Sequence, residues 1–176
     1  ASSRDSHCTR GPAARALTWP KTDHSRLAAS AGLAKLARDN PDLAEAQLPR
    51  IADALAFAEA DRGRVLYQIA LWTVASYGPA SARRLAAVPE SAYDDRLREW
   101  RAREALSRAD WAGALAAIRK MPDAQRGDSR WTYFAARMME LTGDKAGAQP
   151  LYREAAKKAE FHGFLAADRL NAPYAL

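Results

Sequence analysis

An all-α array of stacked helix pairs, an α-solenoid or superhelix of tetratricopeptide-like units, is the fold this sequence predicts. Three observations point to it. Alanine dominates the apolar 48% of the 176 residues, and β-branched residues are scarce. That balance favours helix over strand. Four stretches then share one pattern: DLAEA (42–46), GPASA (78–82), DWAGA (110–114) and DKAGA (144–148), with first residues that step by 36, 32 and 34. A helix–turn–helix repeat has a period near 34 residues. Finally, the last two units agree in detail, because Trp100 and Phe134, Ala102 and Ala136, Ala114 and Ala148, and Ile118 and Tyr152 all stand 34 apart. In the last unit Ala136, Gly143, Ala148, Tyr152 and Ala155 fall at tetratricopeptide-like spacing. Such a helix pair cannot bury its apolar stripe alone, so neighbouring pairs must stack.

The elements follow in order. Residues 1–25 lack periodicity and carry Gly11, Pro12 and Pro20, so this segment is expected to be irregular, extended or only partly helical. Helices are predicted over about 26–39, 42–58, 61–77, 79–88, 91–108, 110–121, 128–142, 144–158 and 161–170. Their breaks fall at Asn40-Pro41, Gly78-Pro79, Pro89, Met121-Pro122 and Gly143. Asp at the head of a repeat can cap the next helix, and Gly there tolerates a positive φ. Pro49 and Pro150 sit inside helical patterns and predict a kink or a later start. Residues 26–158 thus form the helical solenoid domain, and 159–176 begin a linker region.

The net charge is +6, but the basic residues alternate with acidic ones, as in RLREWRARE (96–104). That is a solvated helical surface rather than a nucleic-acid site. No apolar run approaches the roughly 20 residues that span a bilayer. The opening ASSRDSHCTRGP has no apolar core, so it is not read as a signal peptide. The single cysteine, Cys8, excludes an internal disulfide.

Chemistry-bearing patterns are thin. His7, Cys8 and His24 are metal-ligand types without a compact ligand spacing, so no metal site is assigned. No nucleophile elbow and no phosphate-binding glycine loop occurs, and no cofactor is expected.

The C-terminal half carries a resemblance. Arg98-Glu99-Trp100-Arg101, Asp110-Trp111, Arg130-Trp131 with Tyr133, Ala135 and Arg137, Gly143 with Ala148, and above all FHGFLAADRL (161–170) with Pro173-Tyr174 are the residues concerned. Together they resemble the helical region of soluble lytic murein transglycosylases, the part that precedes the catalytic domain. That family commonly has Tyr where this chain has His162. ARDNPDLAEAQL (37–48) fits the same helical array less specifically. The resemblance implies a periplasmic enzyme that cleaves the β-1,4 bond between N-acetylmuramic acid and N-acetylglucosamine in peptidoglycan. The product is a 1,6-anhydromuramoyl end, and a single Glu in a lysozyme-like domain does the chemistry. It implies a helical ring or superhelix with a linker containing the FHGFLAADRL-like run.

The catalytic motif itself is not expected within these residues. The family's Glu-Ser continues Phe-Asn-Pro, whereas the one Glu-Ser pair here, Glu90-Ser91, continues Ala-Tyr-Asp-Asp. Pro89-Glu90-Ser91 reads as a turn, with Ser91 capping a helix that begins near Ala92. No catalytic residue is assigned. Trp72, Trp100, Trp111 and Trp131 are able to stack on sugar rings, but at helical spacing they read as core. Trp19 lies outside the repeats.

On a helix, Phe161, Phe164, Leu165 and Asp168 share roughly one side, while Gly163 leaves room for another backbone. Asp168 and Arg169 are placed to pair outside the segment. A capping helix usually shows a polar outer face, and this one is aromatic on entry. Phe161, His162, Phe164, Asp168, Arg169 and Tyr174 are therefore read as a docking surface for an absent downstream catalytic domain or a partner. The chain is read as a piece of something longer, a non-catalytic scaffold whose partners are peptidoglycan, through the parent enzyme, and cell-wall proteins. The alternative is a free-standing tetratricopeptide-like adaptor that binds a peptide in its groove.

Overall fold

Helix follows helix in the computed structural model, which describes residues 12–176; Pro12 and Ala13 are described in their backbone only. No strand occurs among the described residues. The all-α expectation holds. Contacts divide the chain between Tyr93 and Asp94 into two units.

The first unit holds α1 (Pro12–Ala16), α2 (Asp23–Asp39), α3 (Pro41–Leu55), α4 (Glu59–Ala75), α5 (Ser81–Ala87) and a 3-10 turn, Glu90–Ala92. The starts of α2, α3 and α4 have a chemical cause. Thr22 accepts the Ser25 N–H at 3.1 Å and opens α2. Asn40 accepts the Leu43 N–H at 3.0 Å and opens α3, with Pro41 at the first turn, where its missing N–H costs nothing. The Asp61 carboxylate takes the Ala58 N–H at 3.0 Å and opens α4. Helix α2 packs on α3 and α4, and α4 on α5. Leu33, Leu48, Ile51, Leu55, Val65 and Ile69 fill the space between them. Arg84 of α5 is buried, yet it stays charged among partners. It bonds Glu45 at 3.0 and 3.1 Å, Asp42 at 2.6 Å and the Thr73 hydroxyl at 2.8 Å, which ties α5 to α3 and α4.

The second unit holds α6 (Asp95–Ser107), α7 (Trp111–Arg119), α8 (Asp123–Arg126), α9 (Ser129–Leu141), α10 (Lys145–Ala156) and α11 (Phe161–Leu170). Here the repeat is visible in the packing. Ala102 and Ala136, Ala114 and Ala148 are all fully buried, and so are Ile118 and Tyr152. Asp110 accepts the Gly113 N–H at 2.9 Å, and Asp144 accepts the Gly147 N–H at 2.8 Å. The turns before them match as well. The Asp110 N–H reaches the Ala105 carbonyl at 3.0 Å, and the Asp144 N–H reaches the Met139 carbonyl at 2.8 Å. Each turn passes through a left-handed residue, Ala109 (φ 56°) or Gly143 (φ 100°).

Several local expectations are corrected. Gly78 is not the left-handed residue of its turn: Tyr77 is, with φ 54°, and the Gly78 N–H closes the turn on the Thr73 carbonyl at 2.9 Å. Asp42 does not cap α3; Asn40 does, and Asp42 pairs with Arg84 instead. Pro49 and Pro150 lie within α3 and α10, which start before them rather than after. The expected helix 91–108 begins only at Asp95, because the Asp94 carboxylate accepts the Leu97 N–H at 2.9 Å. Ser91 caps nothing; its hydroxyl donates to Glu59 at 3.3 Å.

Candidate docking surface on the last helix

Helix α11 is set by a close approach of two backbones. A Cβ on Gly163 would overlap the Lys158 carbonyl oxygen and stand 2.9 Å from that of Ala155. Only glycine lets α11 seat on the end of α10, so Gly163 does make room for another backbone. Ala166 and Ala167 are buried on the same helix.

That seating places the expected residues in three settings. His162 is half-buried in an aromatic cluster, with ring centroids 5.5 Å from Phe134, 5.9 Å from Tyr133 and 5.2 Å from Phe161. Burial, then the nearby Arg130 charge, pushes its pKa below the usual histidine value. Phe161, edge-on to the His162 ring, is itself 67% exposed. Phe164 and Asp168 meet the same side chain, Tyr174. The two rings are 5.2 Å apart, and the Tyr174 hydroxyl donates to Asp168 Oδ1 at 2.7 Å. This shared partner confirms that Phe164 and Asp168 lie on one side of the helix. Asp168 thus finds its partner inside the terminal segment rather than outside it. Arg169 does reach outside, to Glu140 of α9 at 3.9 Å.

Glu140 is the hub behind this surface. It accepts from the Tyr152 hydroxyl at 2.5 Å and from Arg137 at 2.9 Å. The Tyr152 bond and then Arg137 hold its carboxyl below the ordinary range. Burial, with the Glu140 carboxylate beside it, pushes the Tyr152 phenol up. Neither Tyr152 nor Glu140 was singled out as a site residue in the sequence. The 34-residue match of Tyr152 to Ile118 and its tetratricopeptide-like spacing mark that position as part of the repeat.

Acid catalysis by a carboxyl group needs a raised pKa. Glu45, Glu140 and Glu154 are displaced the other way, downward, each held first by a hydrogen bond: from Arg83, from Tyr152 and from Lys157. Glu90 is exposed on its turn. No group of three or more His, Cys, Asp or Glu among the described residues is arranged to hold a metal, and His7 and Cys8 lie outside those residues. No described helix is long and apolar enough to cross a membrane.

The tryptophans divide. Trp131 is buried, as expected of core. Trp72, Trp100 and Trp111 are half-buried. Arg38 lies 5.3 Å over the Trp72 ring and Arg103 5.9 Å over the Trp100 ring, so those faces already carry guanidinium groups. The second unit also has a broad groove of about 750 Å³, lined by Leu115, Met139 and Leu151 with Arg119, Arg126 and Glu154.

No protein-family model matches the chain, and no curated protein does. Solved structures do. One is an inactive mutant of the lytic transglycosylase Slt from Pseudomonas aeruginosa, with 29% identity over 93% of this chain and a TM-score of 0.76. Another is the 70-kDa soluble lytic transglycosylase of Escherichia coli, with 22% identity over 92% of this chain and a TM-score of 0.75. A 70-kDa soluble lytic transglycosylase in complex with bulgecin A matches equally well. This chain spans 26% of the length of each. It has the all-helical fold of part of the Slt-type soluble lytic transglycosylases and is a structural relative of that segment.

Proposed function

We propose that the chain is a non-catalytic helical scaffold of a periplasmic lytic transglycosylase, which positions peptidoglycan strands or cell-wall partners for a lysozyme-like domain. That domain would cleave the bond between N-acetylmuramic acid and N-acetylglucosamine and leave 1,6-anhydromuropeptides. One observation carries this reading: 29% identity sustained over 93% of the chain with a TM-score of 0.76 to the Pseudomonas aeruginosa enzyme.

The surface of α11 is the proposed meeting point with the catalytic domain. Phe161 and Tyr174 offer exposed aromatic area, with Phe164, Asp168, His162 and Arg169 fixed behind or beside them. The test is co-sedimentation of the purified chain with insoluble peptidoglycan at low and high salt. Pelleting that survives high salt supports a glycan-holding scaffold. Surface charge alone would be screened beyond roughly 3 Å at 1 M salt, so pelleting lost with salt is non-specific attraction. No pelleting at either salt removes the glycan-holding role.

A second reading is a tetratricopeptide-like adaptor. The mixed apolar and charged groove of the second unit favours it, since Arg119, Arg126 and Glu154 stand beside an apolar lining suited to a peptide. Binding of a peptide partner without peptidoglycan would support that reading.

A further inference from the structure

We propose that His162 is an acid-operated latch on the first turn of α11: the neutral ring holds that turn on α9, and the protonated ring lets it go. The contact is specific. The half-buried ring packs 5.5 Å from Phe134 and 5.9 Å from Tyr133, both on α9. A second side-chain tie holds the same end of the helix. The hydroxyl of Ser129, a residue 4% exposed, donates to Glu160 Oε2 at 2.5 Å. The other end is held separately, by Arg169 lying 3.9 Å from Glu140 and by the buried Ala166 and Ala167. The first turn can therefore open while the rest of α11 stays seated.

Charge decides which form of the ring this place accepts. His162 is the second residue of α11, and a helix N-terminus carries a partial positive charge that disfavours a cation. Arg130 of α9, itself 3.7 Å from Glu99 of α6, adds a full positive charge nearby. Two carboxylates oppose it, Asp128 at the head of α9 and Glu160 ahead of α11. Both are already engaged: Asp128 accepts the Arg130 backbone N–H at 2.9 Å, and Glu160 accepts from Ser129. The other titratable group against the ring is the Tyr133 phenol. Burial and Arg130 outweigh the carboxylates, so the folded site favours the neutral imidazole.

The sign follows. A turn released into water lets the imidazolium be hydrated, so protons favour release. The closed turn is fully favoured above the ordinary 6.5 and loses stability as pH falls through the lower folded value. Release carries Phe161 with it, because that exposed ring stands edge-on to His162 at 5.2 Å. Acid thus takes an aromatic side chain away from the docking surface of α11. That consequence rests on the scaffold reading and its meeting point on α11; the latch itself does not.

The test is amide hydrogen exchange of the full chain, read by NMR from about pH 7.5 to about pH 5.5 and corrected for the intrinsic rate at each pH. The Phe164 amide, bonded to the Glu160 carbonyl at 3.0 Å, reports the first turn of α11. The amide of the buried Tyr152 reports the packed array. The Phe164 opening constant is expected to rise as pH falls, by at most about tenfold per pH unit, the limit for one proton. It should stay flat in His162→Phe, which keeps a ring but cannot take a proton. Low urea should barely change the Phe164 opening, which exposes little surface, and should change that of Tyr152 steeply. Ser129→Ala cuts the second tie, so it should raise the opening at every pH and still show the rise in acid; it serves where His162→Phe fails to fold. A Phe164 constant that ignores pH, a rise retained in His162→Phe, or a urea response equal to that of Tyr152 would overturn the latch. None of these readouts involves peptidoglycan, so failure of the latch and failure of the scaffold reading are told apart.

Discussion

The Tyr152 hydroxyl donates a 2.5 Å hydrogen bond to Glu140, binding α10 to α9 through a side chain that is 1% exposed. The same carboxylate holds Arg137 and lies 3.9 Å from Arg169 of α11, so three helices depend on one acid. Hydrogen bonds to charged groups are worth about 1.5–3 kcal/mol. Tyr152→Phe should therefore cost about 2 kcal/mol in urea unfolding. The pH dependence has a defined sign. Glu140 is held below its ordinary value of 4.5, so its contribution is present above that pH and lost as pH falls through the folded pKa. Tyr152 is raised above its ordinary 10.0, so its contribution is present below pH 10 and lost as pH rises further. The penalty of Tyr152→Phe should shrink at both extremes.

Arg84 and Glu45 predict an asymmetry. Arg84 is almost wholly buried, whereas the Glu45 and Asp42 side chains are 30% and 85% exposed. Glu45→Ala leaves a buried guanidinium with fewer partners and should cost about 3 kcal/mol, as for other broken buried pairs. Arg84→Met leaves only carboxylates that water can reach, and should cost about 1 kcal/mol or less. Chemical denaturation of the two variants decides it; an equal or reversed order would contradict the buried-charge assignment.

Gly163→Ala separates helix propensity from packing. Propensity alone favours alanine by about 1 kcal/mol. The added Cβ would overlap the Lys158 carbonyl and press on that of Ala155, and neither is a flexible side-chain end. A net loss of about 1–3 kcal/mol is expected, in the range of overpacked sites. A stabilised variant would show that α11 is free to move off α10.

His162 predicts an acid sensitivity. Its pKa lies below the ordinary 6.5, with Arg130 lowering it further and Asp128 and Glu160 opposing. A base depressed in the folded state contributes stability above its unfolded pKa and loses it as pH falls through the folded one. The chain should weaken below about pH 6.5, and His162→Tyr should remove that component. Thermal melts between pH 5 and 8 compare the two.

Much of the fold is written in local pattern. The alanines that repeat at 102, 114, 136 and 148 are small because helices meet there, and all four are fully buried. Asp110 and Asp144 announce their own turns, since a cap acts only three residues along the chain. What escaped local reading depends on distant partners. Asp42 looked like a cap because its buried arginine lies more than 40 positions away in sequence. Ser91 lost its expected capping role to Asp94, three residues on, whose carboxylate holds the α6 start. Tyr77 takes a positive φ that the pattern assigned to Gly78. Of the surface residues on α11, Phe161 stays exposed as a docking side chain requires, while His162 is drawn into an aromatic cluster built by α9, which no spacing within 161–176 reveals.

The central claim, a scaffold that holds without cutting, is tested most directly by incubating the chain with purified peptidoglycan and measuring soluble anhydromuropeptides by mass spectrometry alongside the pelleted protein. The scaffold assignment predicts protein in the pellet at high salt and no anhydro product above buffer. Product that accumulates with time, or protein that stays wholly in the supernatant, would contradict it.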